Sequence, residues 1–207
     1  MEISREYHAH SGNYKAGGNT RRYIVIHNTG NTASALNEAK YAQGNQHPSS
    51  YHYVLDGTGT IYQILDDMDT AWAVGAWKGA SQLIANSESI SIEVVSNGTA
   101  FTSAEKEELR WLVQKLMNLY HIPASRVVRH WDCHTGRKQC PAYYVDTTRW
   151  AELLEYITEE DDMPTVDEIW NFKASGTRAQ DRLAGIDKCV WKNNTALSDL
   201  HEAVCTA

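Results

Sequence analysis

The chain has 207 residues, 42% hydrophobic and 22% charged, with a formal net charge of −7, which gives room for one well-buried domain plus an appendage. That charge argues against nucleic acid as the main partner, and no run approaches the ~20 apolar residues of a membrane-inserted helix. Four cysteines are too few and too clustered for a disulfide scaffold. The opening "MEISREYHAHSGNYKAGGNTRRY" has no apolar h-region, so it does not read as a signal peptide and synthesis in a cytoplasm is expected.

In chain order, "YIVIH" (23–27) is a short apolar, β-branched run suited to a buried strand. Residues 33–43 suit a short helix. "YHYVL" and "TIYQI" flank Asp-Gly-Thr-Gly (56–59), a hairpin signal. "SISIEVV" (89–95) alternates, with Ile90, Ile92 and Val94 on one face and Ser91, Glu93 and Val95 on the other. A capping box, Thr102-x-x-Glu105, opens a helix whose apolar positions are Leu109, Leu112, Val113, Leu116 and Leu119. Pro123 and Ser125 precede the strand candidate "RVVRH", and "TRWAELLEYI" (148–157) closes as a helix. This order predicts an α/β fold, a mixed central sheet flanked by helices.

The charge run "EEDDMPTVDE" (159–168) reads as a linker between a domain at 1–158 and a small helical C-terminal tail at 169–207. From 159 onward there are ten acidic and five basic residues, a net of −5. Thr177-x-x-Gln180 is a second capping box. Leu183, Ile186, Val190, Asn193, Leu197, Leu200 and Val204 then follow in alternating steps of three and four, an a/d seam with one polar residue. The pattern suits a homo-oligomer through 177–205, or an amphipathic helix packed on its own domain, and the tail's place after a linker also suits wall targeting.

"RHWDCHTGRKQCP" (129–141) concentrates the chemistry: His130, Cys133, His134 and Cys140. His27 ends the first apolar strand, His130 follows a short strand, and Cys140 lies in a loop before Pro141. Two strand-end histidines and a loop cysteine can make an open zinc site, with three protein ligands and a fourth position for water. Using all four residues of the 129–141 stretch would close the shell, as in a structural zinc protein. His52 alternates with Tyr51 and suits the sheet interior; His8 and His10 carry no assigned function.

The ordered segments "YIVIHNTG", "SYHYVLDGTGTIYQ", "AWAVG", "SISIEVV" and "YHIPASRVVRHWDCHTGRKQCP" resemble the zinc-dependent N-acetylmuramoyl-L-alanine amidases of the type 2 amidase superfamily. That superfamily also includes the peptidoglycan recognition proteins. The likeness covers about residues 1–157 and is nearest to amidase endolysins of phages and prophages of Gram-positive bacteria. It implies one Zn2+ held by His27, His130 and Cys140, with Lys138 stabilising an oxyanion. It also implies Glu93 as general base on the zinc-bound water. Tyr51 matches a tyrosine that other branches use near the substrate carbonyl, so the choice between Glu93 and Tyr51 stays open. Ala73 stands where many relatives have histidine.

Trp72, Trp77, Trp131 and His134 are candidates for contacting glycan or stem peptide. The implied partner is bacterial peptidoglycan, reached from the host cytoplasm through holin-made holes. The rivals are an intracellular amidase recycling muropeptides and a non-catalytic peptidoglycan-binding protein. Non-catalytic members lack the zinc cysteine that Cys140 supplies here.

Overall fold

The structure is a computed structural model that describes residues 1–44, 48–76, 79–159, 173–174 and 177–178. Met1–Glu159 forms one compact unit and Glu160–Ala207 another. In the first, β1 (Glu2–Ser4), β3 (Tyr23–Asn28), β4 (Tyr53–Leu55), β5 (Thr60–Gln63), β7 (Ser89–Val94) and β8 (Val127–Arg129) build a six-stranded sheet in the order β1-β5-β4-β7-β3-β8. The β4–β5 pair is antiparallel and every other pairing is parallel, so the sheet is mixed. A separate two-stranded ladder joins β2 (Tyr14–Gly18) to β6 (Asp69–Ala71).

The alternation expected for 89–95 is realised and sorts the chemistry. Ile24, Ile26, Ile90, Ile92 and Val94 share one face and pack with α2 (Ser103–Tyr120) and α3 (Thr147–Thr158). The α2 residues Leu109, Leu112, Val113 and Leu116 are buried there, while Leu119 lies outside the stripe at 58% exposed. Each fully buried aliphatic side chain contributes roughly 1.5–3 kcal/mol. On the opposite face, Val54 packs with Ala35, Ala39 and Ala42 of α1 (Ala35–Gly44), and Val25 packs with Val74, Ile84 and Cys133. His27 and Glu93 belong to this second face and are neighbours across β3 and β7.

The α2 capping box forms: Thr102 Oγ accepts from Glu105 N–H at 3.3 Å, and the Glu105 carboxylate accepts from Thr102 N–H at 2.7 Å. One turn on, buried Glu108 reaches across to the β4–β5 turn. Its carboxylate accepts from Gly57 N–H at 2.6 Å and from Gly59 N–H. Gly57 has φ +79, and a Cβ there would stand 2.9 Å from the Glu105 backbone nitrogen. Glycine is therefore required by both conformation and space.

In the second unit, β9 (Lys173–Ala174) and β10 (Thr177–Arg178) pair antiparallel. A helix capped by Thr177 needs helical backbone at Arg178, and Arg178 is in a strand instead. The heptad positions 183–204 lie outside the described residues.

Candidate metal and catalytic centre

Three parallel strands deliver the site at or just beyond their C-terminal ends: β3 carries His27, β7 carries Glu93, and β8 runs into a 3-10 turn that begins with His130. The open end of parallel strands is where α/β sheets place ligands. His27, His130 and Cys140 are all buried. The Nδ1 atoms of His27 and His130 stand 3.0 Å apart, and Cys140 Sγ is 3.8 Å from His27 Nδ1. One donor atom from each of the three residues falls within 4.8 Å of the others.

This donor set fits zinc. Tetrahedral bonds of about 2.0–2.1 Å to nitrogen and 2.3 Å to sulfur separate two nitrogens by about 3.3 Å, and nitrogen from sulfur by about 3.6 Å. Burial, then the nearness of His130 and Lys138, holds His27 well below the ordinary imidazole range. Burial and Lys138 pull His130 down to about 3. Both rings are therefore neutral, with lone pairs available. Burial, then Glu93, pushes the Cys140 thiol up to about 12. Only a bound cation would hold such a thiol as thiolate at neutral pH, with release of its proton.

Glu93 Oε1 lies 3.8 Å from His27 Nδ1, and Oε2 is buried with no hydrogen-bond partner among the described residues. Burial raises this carboxyl to about 7, against the opposing pull of Lys138, which is the range a general base needs. Exposed Lys138 lines the same cavity of about 590 Å³, as do His27, Glu93, Tyr51, Glu38 and Cys140. Tyr51 is placed differently from a free acid. Its O–H donates to the Glu38 main-chain oxygen at 2.9 Å, and burial raises its pKa well above the ordinary phenol value. The phenol is thus protonated, with its hydrogen committed to α1.

The remaining candidates separate from this cluster. His134 is fully buried, with its ring edge-on to His130 at 5.5 Å between centroids, and does not line the cavity. Trp72 and Trp131 do not line it either, and Trp77 lies outside the described residues. Asn28, Thr29, Ser50 and Asn97 are among the residues that do line it. What Trp131 supplies is its backbone N–H, donated to Cys140 O at 2.8 Å. Cys133 packs with Val25, Val74 and Ile84, and its Sγ donates to Arg129 O at 3.4 Å. It takes no part in the cluster, so among the described residues the candidate donor set has three members. His52 is buried in the sheet, accepting from Ser91 N–H on Nδ1 at 3.0 Å, with Nε2 3.1 Å from Asp69 O.

One supporting residue gave no signal in the sequence. Arg129, almost fully buried, forms a bidentate pair with Asp132 at 2.9 and 3.0 Å. It also donates to the main-chain oxygens of Tyr144 and Val145, each at 3.0 Å. The turn that starts with His130 is thereby fixed to the segment following Cys140.

The family model described as N-acetylmuramoyl-L-alanine amidase (Amidase_2) matches residues 17–143. N-acetylmuramoyl-L-alanine amidase CwlH of Bacillus subtilis (strain 168) is 31% identical over 147 residues, which are 69% of this chain and 55% of CwlH. N-acetylmuramoyl-L-alanine amidase XlyA of the same strain is 32% identical over 131 residues, 62% of this chain and 42% of XlyA. The chain thus spans about half the length of these relatives. Among solved structures, PlyL superposes with a TM-score of 0.67 at 28% identity, covering 78% of this chain and 99% of PlyL. The catalytic domain of XlyA gives 0.63 at 30% identity, covering 76% and 99%.

Proposed function

Because the chain belongs to the N-acetylmuramoyl-L-alanine amidase family, we propose that it hydrolyses the amide joining the lactyl group of N-acetylmuramic acid to L-alanine in bacterial peptidoglycan. The observation that carries this reading is the open, buried His27–His130–Cys140 cluster with Glu93 beside it. These three residues would hold one zinc ion, which when bound polarises a carbonyl and lowers the pKa of a coordinated water toward ~7.

Glu93 takes a proton from the attacking water as the water oxygen bonds to the lactyl carbonyl carbon. It then passes that proton to the departing nitrogen as the C–N bond breaks. Lys138, on the cavity rim, offsets the negative charge that gathers on the carbonyl oxygen. The products are a lactyl carboxylate and a peptide with a free L-alanine amine. Tyr51 holds the cavity wall in shape through its bond to α1 rather than acting on the oxygen.

The deciding experiment is mass spectrometry of products from purified Gram-positive sacculi, with and without a zinc chelator. Peptides with new L-alanine amino termini, lost on chelation, are expected. New reducing sugar ends would make the protein a glycosidase instead. Zinc and wall binding without products would make it a recognition module. Activity on intact sacculi also separates this reading from a muropeptide-recycling enzyme, which acts on soluble fragments.

The same reading makes the enzyme an endolysin that reaches the wall from the host cytoplasm through holin-made holes. The a/d pattern at 183–204 supports self-association through the tail, raising avidity for a polymeric wall. Sedimentation should give a larger species for the full chain than for residues 1–158; monomers in both would end that proposal.

A further inference from the structure

We infer that Asn28 is a positioning residue for the metal-ligating sulfur: its carboxamide locks the Cys140 loop onto the strand that carries His27. Its Oδ1 accepts from Ala142 N–H at 2.7 Å, two residues beyond Cys140. Its Nδ2 donates to Ser96 O at 2.9 Å, in the segment that follows β7 and Glu93. One side chain therefore ties together the ends of β3 and β7 and the cysteine loop. The two partners are of opposite kind, an N–H and a C=O. A carboxylate could serve only the first, and an apolar side chain neither.

Cys140 needs such anchorage because it sits in a loop between the 3-10 turns His130–Asp132 and Ala142–Val145. The stretch from 133 to 141 contains no helix or strand. Its own backbone is held by Cys140 N–H to Lys138 O at 2.7 Å and by Trp131 N–H to Cys140 O at 2.8 Å. The Trp131 bond fixes the loop to the His130 turn, and the Asn28 bond fixes it to the His27 strand. With both in place the sulfur is registered against both histidines. Without Asn28 the loop stays attached on the His130 side while the sulfur-to-His27 spacing of 3.8 Å is free to drift. Loss of an outer partner that orients a ligand typically lowers metal affinity about 10- to 100-fold.

This inference rests on the zinc reading of the cluster, and the test separates the two. The full chain is titrated with zinc against a chromophoric chelator, and loaded with cobalt(II), whose thiolate charge-transfer absorption reports on Cys140. A wild-type chain that shows neither zinc binding nor that absorption overturns the site itself, and this inference with it. Where the wild type shows both, Asn28→Ala is expected to bind zinc about 10- to 100-fold more weakly. Its charge-transfer band should be diminished, and kcat should fall with little change in KM.

Ala142→Pro removes the same hydrogen bond from the other side. It does so at the first position of the 3-10 helix Ala142–Val145, where a missing N–H and a fixed φ are tolerated. It is expected to reproduce the effect, and the double variant should add little to either single one. If Asn28→Ala does not fold, Ala142→Pro alone decides. Wild-type zinc affinity and an unchanged cobalt band in the folded variants overturn the inference.

Discussion

Replacing Cys140 by serine should leave a folded domain that neither retains zinc nor cleaves sacculi. The substitution removes little volume at a site only 6% exposed. The sulfur makes only distant polar contacts, 3.8 Å to His27 Nδ1 and 4.0 Å to the Asn28 oxygen. The fold therefore has little to lose. Metal binding has much to lose, because a serine hydroxyl does not give up its proton near neutral pH as a zinc-bound thiol does. Affinity should drop by well over the roughly 10- to 100-fold that loss of an outer partner costs. Elemental analysis after dialysis should show substoichiometric zinc, with activity at the level of the chelated wild type and a circular dichroism spectrum unchanged. Full retention of both zinc and activity would remove Cys140 from the ligand set.

Glu93→Gln separates chemistry from metal binding. Glutamine has the shape of glutamate but cannot accept the water's proton, and Glu93 is no member of the three-residue donor set. Zinc content should stay near one per chain while kcat falls about 100- to 10,000-fold, the typical weight of a general base. Tyr51→Phe is the informative companion. The phenol is protonated and bonded to the Glu38 main-chain oxygen, so its loss should cost less than about tenfold, through a loosened cavity wall. A large loss in Tyr51→Phe with near-normal activity in Glu93→Gln would reverse the two roles.

The positions of His27 and Glu93 were legible because each lies in a short strand, and His130 because it directly follows one. Ile24 and Ile26 fix the inward face of β3 and so turn His27 outward, and Ile90 and Ile92 do the same for Glu93. The α2 capping box was readable because Thr102 and Glu105 signal each other locally. The supporting residues were not. Asn28 acts on partners 68 and 114 positions away, and Glu108 reads as a surface helix residue although it caps a turn about fifty residues earlier. Residue type alone carries no information on where a side chain lies. Trp72 and Trp131 are not among the residues that line the cavity beside His27. His134 is buried edge-on against His130 and does not line it either. The short strands β1, β2 and β6 escaped notice because they carry no long apolar run.

The register that pairs His27 with Glu93 has a bearing on how such a catalyst can be altered. Adjacent strands are held about 4.8 Å apart by backbone geometry common to all sheets, so the spacing of base and ligand is built into the scaffold as a fixed ruler. The loop residues Thr29, Gly30, Asn97 and Gly98 border it. Side chains at Thr29 and Asn97 can change while that ruler keeps its scale, whereas Gly30 and Gly98, both at positive φ, cannot accept a side chain without strain. Exchanges of side chains in the bordering loops therefore leave the His27–Glu93 spacing untouched.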